Sequence, residues 1–291
     1  MVKKLSDLYI EARRALATKE DPQSASLLAR NLICHLTGMT QEQLLADREL
    51  LASEKLCLDV SRAVQRLLNG EPIAYVINQW DFYGMRLRVT KDVLIPRDDT
   101  CTVTGMAINK AIFLNEAPRI LDLCTGSGCI GLAVAHRVKD ARVTLADISR
   151  EALAVAKSNI VDQKLSARVS CVQVDAHQPA PAFLGKFDMI ISNPPYITEA
   201  EMETLDRSVK DFEPHLALCG GKDGLDFYHA IARNFSQALK NGGYLCFEFG
   251  RGQGDAVCEI LVSNGYTILE RSRDNNHIER AVLAQYSGKE E

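Results

Sequence analysis

Apolar side chains recur at helical spacing over the first seventy residues, and a capping residue precedes each main run. Residues 1–21 form an amphipathic run, and the N-cap candidates of the runs that follow are Asp21 (ahead of Pro22), Thr40 and Ser53. Thr40 and Gln43 also have the spacing of a capping box. Capped runs with a 3.6-residue period are typical of α-helices. We therefore predict a small helical-bundle domain over residues 1–72.

The period changes after Glu71-Pro72. Residues 75–89 are rich in aromatic and β-branched side chains, and Met85, Leu87 and Val89 alternate with polar residues after Gly84. Alternation of this kind after a glycine is typical of a β-hairpin. We therefore predict a β-hairpin linker over residues 73–95.

From about Pro118 onwards, short apolar segments alternate with glycine turns and helical patterns such as Ile130–Val138 and Arg150–Asp162. The candidate strands are Arg119–Leu123, Arg142–Ala146, Arg168–Val174, Phe187–Ser192, Gly243–Phe249, Tyr266–Arg271 and Arg280–Gln285. This alternation predicts an α/β, Rossmann-like fold with a mostly parallel sheet that helices cover on both faces. The long stretch from Ile197 to Gly224 is a candidate lid or substrate loop.

Composition excludes several classes of protein. The chain has 291 residues, a hydrophobic fraction of 46% and a net charge of −4, so it lacks the basic excess of proteins that bind nucleic acids or anionic membranes. No apolar run approaches the ~18 residues that span a bilayer. The nine cysteines show neither a C-x-x-C pair nor zinc-ligand spacing. We therefore expect reduced thiols, no metal site and a cytoplasmic protein without membrane contact.

A glycine-rich turn follows the first candidate strand of the α/β region. Gly126, Gly128 and Gly131 form G-x-G-x-x-G between a strand and a helix, a turn that brings backbone N–H groups close to a ligand. Asp147 ends the next strand, 21 positions after Gly126, where a carboxylate can accept hydrogen bonds from ribose hydroxyls. These features support two cofactors, a dinucleotide or S-adenosylmethionine.

The segment Asn193-Pro194-Pro195-Tyr196 follows the fourth candidate strand, at the edge where ligands bind in doubly wound folds. The prolines lack N–H groups and stiffen the backbone, so the Asn193 side-chain oxygen and the Pro194 carbonyl can each accept a proton from a planar NH2 group. Holding both protons directs the nitrogen lone pair at an approaching methyl group and stabilises developing positive charge. Tyr196 can pack on the flat face of the amide or base. We therefore assign catalysis and substrate binding to these four residues.

Such a site is typical of amino-group methyltransferases that use S-adenosylmethionine, and a nicotinamide dehydrogenase does not need it. The sequence therefore favours S-adenosylmethionine as the cofactor. The substrate is then limited to a planar NH2 group, as in adenine, cytosine or a glutamine side chain.

Further motifs give the chain a more specific resemblance. They are GEPIAYV at 70–76, FYGMRLRVTKDVLIPR at 82–97, LDLCTGSG at 121–128, FEPHLAL at 212–218, GGKDGLDFYHAI at 220–231 and the Glu248-x-Gly250-x-x-Gln253 pattern. Together with the helical front domain and the NPPY segment, they resemble the HemK/PrmC family of glutamine methyltransferases, which act on peptide chain release factors. The resemblance implies a class I methyltransferase domain over residues 96–291 and a front domain that recognises a release factor.

The resemblance also implies roles for the matched residues. The residues that would border the methionine part of S-adenosylmethionine are Cys124, Thr125, Gly126, Ser127 and Gly128. Asp147 would hold the ribose, and Asp175 and Ala176 would flank the adenine. Asn193 would touch both the cofactor and the target amide, and the target site would be completed by Pro194, Pro195 and Tyr196.

Three positions depart from the family pattern. Cys124 stands where a glycine is usual, Ala176 where a larger ring-stacking side chain is common, and Cys101 where a glutamate is usual. At these positions the roles of the family's residues do not carry over directly.

Three alternatives stay open. The glycine segment is also similar to enzymes that methylate a glutamine of a large-subunit ribosomal protein, whereas the Glu248/Gly250/Gln253 pattern favours the release-factor enzymes. A DNA adenine methyltransferase needs a basic surface to grip DNA and flip a base, and the net charge argues against one. A non-catalytic binding module would keep the fold without the chemistry, and the intact NPPY segment argues against it. We expect a release factor as the partner and no direct DNA binding.

Overall fold

The structure is a computed structural model that describes residues 3–114 and 116–288. These residues form two compact units. The first unit contains the chain up to Gln79 together with Arg207–Phe212, and the second contains Trp80–Asp206 and the chain from Glu213 onwards. The predicted domain limits at residues 72 and 95 stay predictions.

In chain order the helices are α1 (Leu5–Leu16), α2 (Pro22–Thr37), α3 (Gln41–Ala46), α4 (Glu54–Leu68), α5 (Ile73–Ile77), α6 (Thr100–Ala111), α7 (Cys129–Arg137), α8 (Arg150–Asp162), α9 (Glu199–Met202), α10 (Arg207–Lys210), α11 (Asp226–Asn234) and α12 (Gly254–Ser263). The strands are β1 (Lys3–Lys4), β2 (Leu51–Ala52), β3 (Gln79–Phe82), β4 (Met85–Arg88), β5 (Arg119–Leu123), β6 (Arg142–Asp147), β7 (Val169–Gln173), β8 (Phe187–Ser192), β9 (Leu239–Glu248), β10 (Tyr266–Arg273) and β11 (Glu279–Tyr286).

The helices of the first unit begin where the capping residues predict. The Asp21 side chain accepts hydrogen bonds from the N–H groups of Gln23 and Ser24 at the start of α2. Thr40 and Gln43 form the capping box of α3, and the Ser53 hydroxyl accepts from the Leu56 N–H in α4. The helices enclose an apolar cluster that includes Leu8, Leu16, Leu32, Ile33 and Val64. The predicted helical region is therefore confirmed.

The predicted hairpin is present but shorter, and the expectation of strand structure from Tyr75 to Ile77 is wrong. Residues Ile73–Ile77 form α5, which ends at Asn78 in the left-handed region with a φ of 54°. Burial of Val76 in the apolar cluster of the first unit outweighs the strand preference of these side chains. The hairpin itself joins β3 to β4 through Tyr83 and Gly84, whose φ angles of 50° and 78° fit a type I′ turn.

A seven-stranded sheet forms the centre of the second unit, in the order β10-β11-β9-β8-β5-β6-β7. Strands β9, β8, β5, β6 and β7 are parallel, and β11 runs antiparallel to both β9 and β10. Each predicted strand is present. The largest difference is at β9, which begins at Leu239 rather than at Gly243, because a register shift against β8 accommodates the intervening residues.

Helices cover both faces of this sheet. Ile120 of β5 belongs to the apolar cluster under α6, α7 and α8, whereas its neighbour Leu121 belongs to the cluster under α11 and α12. Successive strand residues therefore point to opposite faces, as a doubly covered sheet requires. Helix α6 has no counterpart among the predicted elements, because seven of its twelve residues are buried and no clear amphipathic pattern marks it.

Two features are absent from the part of the chain that the structure describes. None of its helices combines the length and the apolar character needed to cross a membrane. No group of three or more His, Cys, Asp or Glu side chains there is arranged to hold a metal ion.

Candidate active site

A cleft opens in the second unit at the carboxyl ends of the parallel strands. The sheet order reverses at β5, which lies between β6 and β8, and ligands bind at such switch points in α/β folds. The predicted site residues that line the cleft are Cys124, Thr125, Gly126, Ser127, Asp147, Asp175, Ala176, Asn193 and Pro195. Three other predicted residues lie outside the lining: Gly128 is the N-cap of α7, Pro194 is buried and Tyr196 is half-buried.

Asp147 ends β6, and its carboxylate is held by backbone N–H groups. Oδ2 accepts a hydrogen bond from Gly126 at 2.9 Å, and Oδ1 accepts one from Ser149 at 3.0 Å. Burial raises the pKa of this carboxyl, and the backbone hydrogen bonds counteract part of that rise. Each carboxylate oxygen can accept a further hydrogen bond. The side chain therefore suits a ligand that offers two hydroxyl groups.

Asp122 is a buried carboxyl within β5 that ties the glycine turn to α7. Its Oδ2 accepts from the Thr125 hydroxyl at 2.6 Å and from the Gly131 N–H at 2.9 Å. Burial raises the pKa of Asp122 to about 7 despite these hydrogen bonds. A Cβ at Gly131 would lie 2.3 Å from Leu145 Cδ2, so the third glycine of the motif is needed for α7 to pack against β6.

Cys124 occupies a backbone conformation that favours glycine. Its φ is 60°, in the left-handed region where a side chain costs about 1–2 kcal/mol. The next residue, Thr125, donates its N–H to the Ala146 carbonyl at 3.0 Å, which fixes the turn beside β6. The glycine that is usual at position 124 in the resembled family thus has a physical reason, and this chain tolerates strain there.

Asn193 follows β8 and contacts Thr100, the first residue of α6. Its Nδ2 donates to Thr100 Oγ1 at 3.2 Å, and both residues line the cleft. Because the amide nitrogen faces Thr100, Oδ1 is the side-chain atom that can accept protons from a ligand. The sequence analysis did not single out Thr100.

The Glu248-x-Gly250-x-x-Gln253 motif supports the segment Asn193–Tyr196, which we call the NPPY loop. Gln253 Nε2 donates to the Tyr196 carbonyl at 3.0 Å, and its Oε1 accepts from the Gly250 N–H at 2.9 Å. A Cβ at Gly250 would lie 2.8 Å from Gln253 Oε1 and 3.0 Å from Tyr196 Cδ2. The motif therefore holds the backbone of the NPPY loop at Tyr196.

Comparison with known proteins shows the family to which the chain is similar. Residues 7–77 match the PrmC N-terminal domain family, and residues 107–221 match the Methyltransferase small domain family. A release factor glutamine methyltransferase of Clostridium acetobutylicum is 40% identical over 217 residues, which cover 75% of this chain and 76% of that protein. Another, from Bradyrhizobium diazoefficiens, is 36% identical over 281 residues, which cover 94% of this chain and 93% of that protein.

The chain belongs to the release factor glutamine methyltransferase family. The resemblance to HemK/PrmC that its motifs indicate is therefore confirmed. A solved methyltransferase structure from Pyrococcus furiosus superposes with a TM-score of 0.50 at 19% identity and covers 79% of this chain and 100% of that chain. At this identity the similarity shows the fold alone, and it agrees with the predicted Rossmann-like class I methyltransferase fold.

In this family member, part of the candidate lid forms a wall of the cleft. Glu213 has a side chain only 1% exposed; its Oε2 accepts from the Ile95 N–H at 3.2 Å, and its Oε1 pairs with the Arg97 guanidinium. The residues that follow it in the cleft wall are Pro214, Leu216 and Ala217. A further role of residues 197–224 as a moving lid stays a prediction.

The predicted adenine end of the cleft has aromatic side chains, although position 176 does not supply one. Ala176 is small and buried, and Asp175 accepts a hydrogen bond from the His177 N–H at 2.9 Å. The His177 ring lies 4.4 Å from the Phe227 ring, measured between centroids, and both residues line the cleft. The departure at Ala176 is thus accompanied by an aromatic pair next to it.

Proposed function

We propose that this chain transfers a methyl group from S-adenosylmethionine to the side-chain amide nitrogen of a glutamine in a peptide chain release factor. The observation that carries the proposal is the Asn193 side chain, which faces Thr100 with Nδ2 and so offers Oδ1 as an acceptor in the cleft that also contains Asp147. An acceptor for amide protons and a carboxylate for ribose hydroxyls therefore lie in one cleft. Membership of the family supports a glutamine over an adenine.

The residues of the cleft fit S-adenosylmethionine. Each oxygen of the half-buried Asp147 carboxylate accepts one backbone N–H and can accept one more hydrogen bond, which two ribose hydroxyls would supply. His177 and Phe227 offer an aromatic surface to an adenine, and the turn that begins at Cys124 would border the methionine part. When bound, the cofactor supplies an electrophilic methyl group on a sulfonium.

The NPPY loop would hold the target amide. Asn193 Oδ1 and the Pro194 carbonyl would each accept one proton of the planar NH2 group, which turns the nitrogen lone pair toward the methyl group. Both acceptors also stabilise the positive charge that develops on nitrogen. The new N–C bond would form as the bond between the methyl group and the sulfonium sulfur breaks, and the nitrogen would release one of its two protons to water, so the product would be a neutral N-methylamide. Tyr196, held by Gln253, would cover the flat face of the amide.

We assign separate roles to the parts of the chain. Residues 1–72 would recognise the release factor, residues 73–95 would link, and residues 96–291 would bind the cofactor and perform the transfer. The net charge of −4 favours a protein substrate over DNA, so no direct DNA binding is proposed.

Mass spectrometry tests the substrate. A purified release factor, ribosomal proteins and DNA are incubated separately with the chain and isotopically labelled S-adenosylmethionine. We expect one methyl group on the glutamine that glycines flank in the exposed loop of the release factor. The label should be strongly reduced with the Asn193→Ala variant and absent from a release factor in which that glutamine is replaced.

Other outcomes would replace the proposal. Label found only on a ribosomal protein would make the chain a ribosomal-protein glutamine methyltransferase. Label found only on adenine in DNA would make it a DNA adenine methyltransferase. Cofactor binding without transfer to any of the three would indicate a non-catalytic binding module.

A further inference from the structure

We infer that Glu248 is a positioning residue for methyl transfer: through the Thr100 hydroxyl it fixes the Asn193 side-chain amide with Oδ1 toward the target nitrogen. The inference rests on the proposed function, because it explains how Asn193 Oδ1 comes to face the target amide. It assigns a role to a buried carboxyl for which the transfer step itself has no use.

Strand register places Glu248 beside Asn193. Strands β8 and β9 are parallel neighbours, and Ser192 pairs with Phe247. Asn193 and Glu248 are the residues that directly follow this pair in the sequence. Thr100 and Glu248 are 2% and 1% exposed. The Thr100 hydroxyl accepts from Asn193 Nδ2 at 3.2 Å, and the polar side chains of Thr100 and Asn193 favour the ionised form of the Glu248 carboxyl. The three side chains therefore lie together, with Thr100 and Glu248 buried and Asn193 half-buried and hydrogen-bonded to Thr100.

The Glu248 carboxylate determines which way the Thr100 hydroxyl proton points, and with it the orientation of the Asn193 amide. A hydroxyl that accepts from Asn193 still needs an acceptor for its own proton, and an ionised carboxylate can only accept. With its proton directed at Glu248, the Thr100 oxygen receives Nδ2, and Asn193 presents Oδ1 to the target. Without the carboxylate, Thr100 can donate to Oδ1 of a rotated amide, which would then present N–H groups to the N–H groups of the target.

An ion pair does not account for Glu248. The cation that faces it, Arg280, contacts Asp99 at 2.8 Å and Asp274 at 3.0 Å. Within residues 3–114 and 116–288, Glu248 Oε2 has no hydrogen-bond partner. A buried carboxyl that has no ion-pair partner of its own and one oxygen without a hydrogen bond destabilises the fold. A functional role therefore explains its presence better than a structural one.

The surroundings of Glu248 predict how the group responds to pH. The titratable and charged groups that face it are Asp99 and Cys101 at the start of α6, Cys129 of α7, Tyr196 after β8, Tyr228 of α11 and Arg280 of β11. Burial raises the pKa of Glu248 to about 7, and it raises the pKa of the two thiols and the two phenols. Because only the ionised carboxylate fixes the amide, kcat should rise as the pH rises through about 7.

Steady-state methylation of the release factor by the full chain tests the inference with Thr100→Val, Thr100→Ser and Glu248→Gln. Thr104→Val is the matched control, since Thr104 is buried one turn later in α6 and its hydroxyl donates to the Thr100 carbonyl at 2.7 Å. We expect Thr100→Val and Glu248→Gln to lower kcat by roughly tenfold to a hundredfold with little change in KM for the cofactor. Thr100→Ser should recover most of the loss, and Thr104→Val should keep the wild-type kcat.

Two further readouts separate positioning from a structural role. The kcat of the double variant Thr100→Val/Glu248→Gln should be no lower than that of the single variant with the lower kcat, because both substitutions act through the Asn193 amide. The rise of kcat through about pH 7 should disappear in Glu248→Gln. If both single variants keep the wild-type kcat, or if the pH dependence persists in Glu248→Gln, the inference is overturned. Should Thr100→Val fail to fold, Glu248→Gln and its pH profile decide alone.

A measurement without substrate distinguishes this inference from the proposed function. The side-chain NH2 signal of Asn193 in an NMR spectrum, assigned by its absence in Asn193→Asp, reports the contact with Thr100. We expect the signal to move in Thr100→Val and to stay in Thr104→Val. If the wild-type chain does not methylate a release factor, the proposed function fails while this signal still reports the orientation. A signal that Thr100→Val leaves in place overturns the inference.

Discussion

The Asp147 carboxylate accepts a hydrogen bond from the Gly126 N–H at 2.9 Å, so one side chain connects the end of β6 to the glycine turn after β5. Its second oxygen accepts from the Ser149 N–H. Both oxygens are therefore fixed by the backbone. An acceptor that is already fixed loses little conformational freedom when it binds a ligand.

This relationship predicts that Asp147→Ala weakens the binding of S-adenosylmethionine at least about tenfold, because hydrogen bonds to a charged acceptor contribute about 1.5–3 kcal/mol each. Asp147→Asn keeps one acceptor oxygen and should lie between the wild type and Asp147→Ala. Calorimetric titration measures the affinity, with Asp162→Ala as a control at an exposed aspartate on α8. Unchanged affinity in Asp147→Ala, or tight binding of NAD instead, contradicts the assignment.

Asn193→Ala should remove most of the catalysis and leave the fold intact. The side chain acts on the target amide while charge develops, and removal of one such polar stabiliser costs on the order of a hundredfold or more in kcat. Turnover on the release factor and the circular dichroism of the variant check the two parts. Asn264→Ala, which removes a hydrogen bond to the Ile260 carbonyl at the end of α12, is the control and should keep the wild-type kcat. A kcat near the wild-type value in Asn193→Ala would rule out the proposed mechanism.

The elements that local patterns determine could be predicted from the sequence. The alternation of strands, glycine turns and helices led to the correct sheet class. The same reasoning placed Gly126, Asp147 and Asn193 at the carboxyl ends of neighbouring strands, and the structure brings them into one cleft. The roles of these residues stay predictions, but their proximity followed from the topology of a parallel sheet.

Residues whose surroundings depend on distant parts of the chain could not be found in this way. Thr100 lies 93 positions from Asn193, and Glu213 lies 118 positions from Ile95. Asp122 carries a weak signal, since it is an acidic residue inside an apolar strand, but the glycine motif alone gives no sign that its partner is the Gly131 N–H. The helix Ile73–Ile77 was missed because tertiary burial outweighed a local preference for strand.

The backbone at Cys124 predicts a difference between two small substitutions. At a φ of 60°, Cys124→Gly should be more stable than Cys124→Ala by about 1 kcal/mol, because both lose the thiol and only alanine keeps the strained Cβ. Chemical denaturation measures the free energies of unfolding. In a normal helical position such as Ala135 of α7, the order of glycine and alanine should be reversed. Equal stability of the two Cys124 variants contradicts the account of strain.

Asp122 predicts a change of stability with pH. Its pKa is raised from the ordinary value of 3.8 to about 7 in the folded state, so the folded chain binds this proton more tightly than the unfolded chain. The stability that this group contributes is therefore complete below about pH 4 and is lost as the pH rises through about 7. Asp122→Asn removes this dependence.

The free energy of unfolding of Asp122→Asn, relative to the wild type, should accordingly increase between pH 5 and pH 8 by about 2–3 kcal/mol, because about two pH units of that interval lie between the two pKa values. Urea denaturation at both pH values measures it, and the contribution of Glu248 cancels because both proteins contain it. Asp255→Asn, at an exposed side chain, should show no such increase. A difference that stays constant across this range contradicts the burial effect.

The surface of the first unit predicts a role in binding the release factor. Leu45, Leu50 and Leu51 are 71%, 51% and 67% exposed and lie within seven positions of one another. Large apolar side chains exposed close together are typical of protein contact surfaces. The double substitution Leu45→Ser/Leu51→Ser should therefore raise KM for the release factor several-fold, while kcat and the affinity for S-adenosylmethionine stay at the wild-type values. Phe113→Ser, at a side chain of the second unit that is 85% exposed, is the matched control and should leave KM unchanged. A KM for the release factor that the leucine substitutions leave unchanged, or that Phe113→Ser raises equally, would remove this surface from substrate recognition.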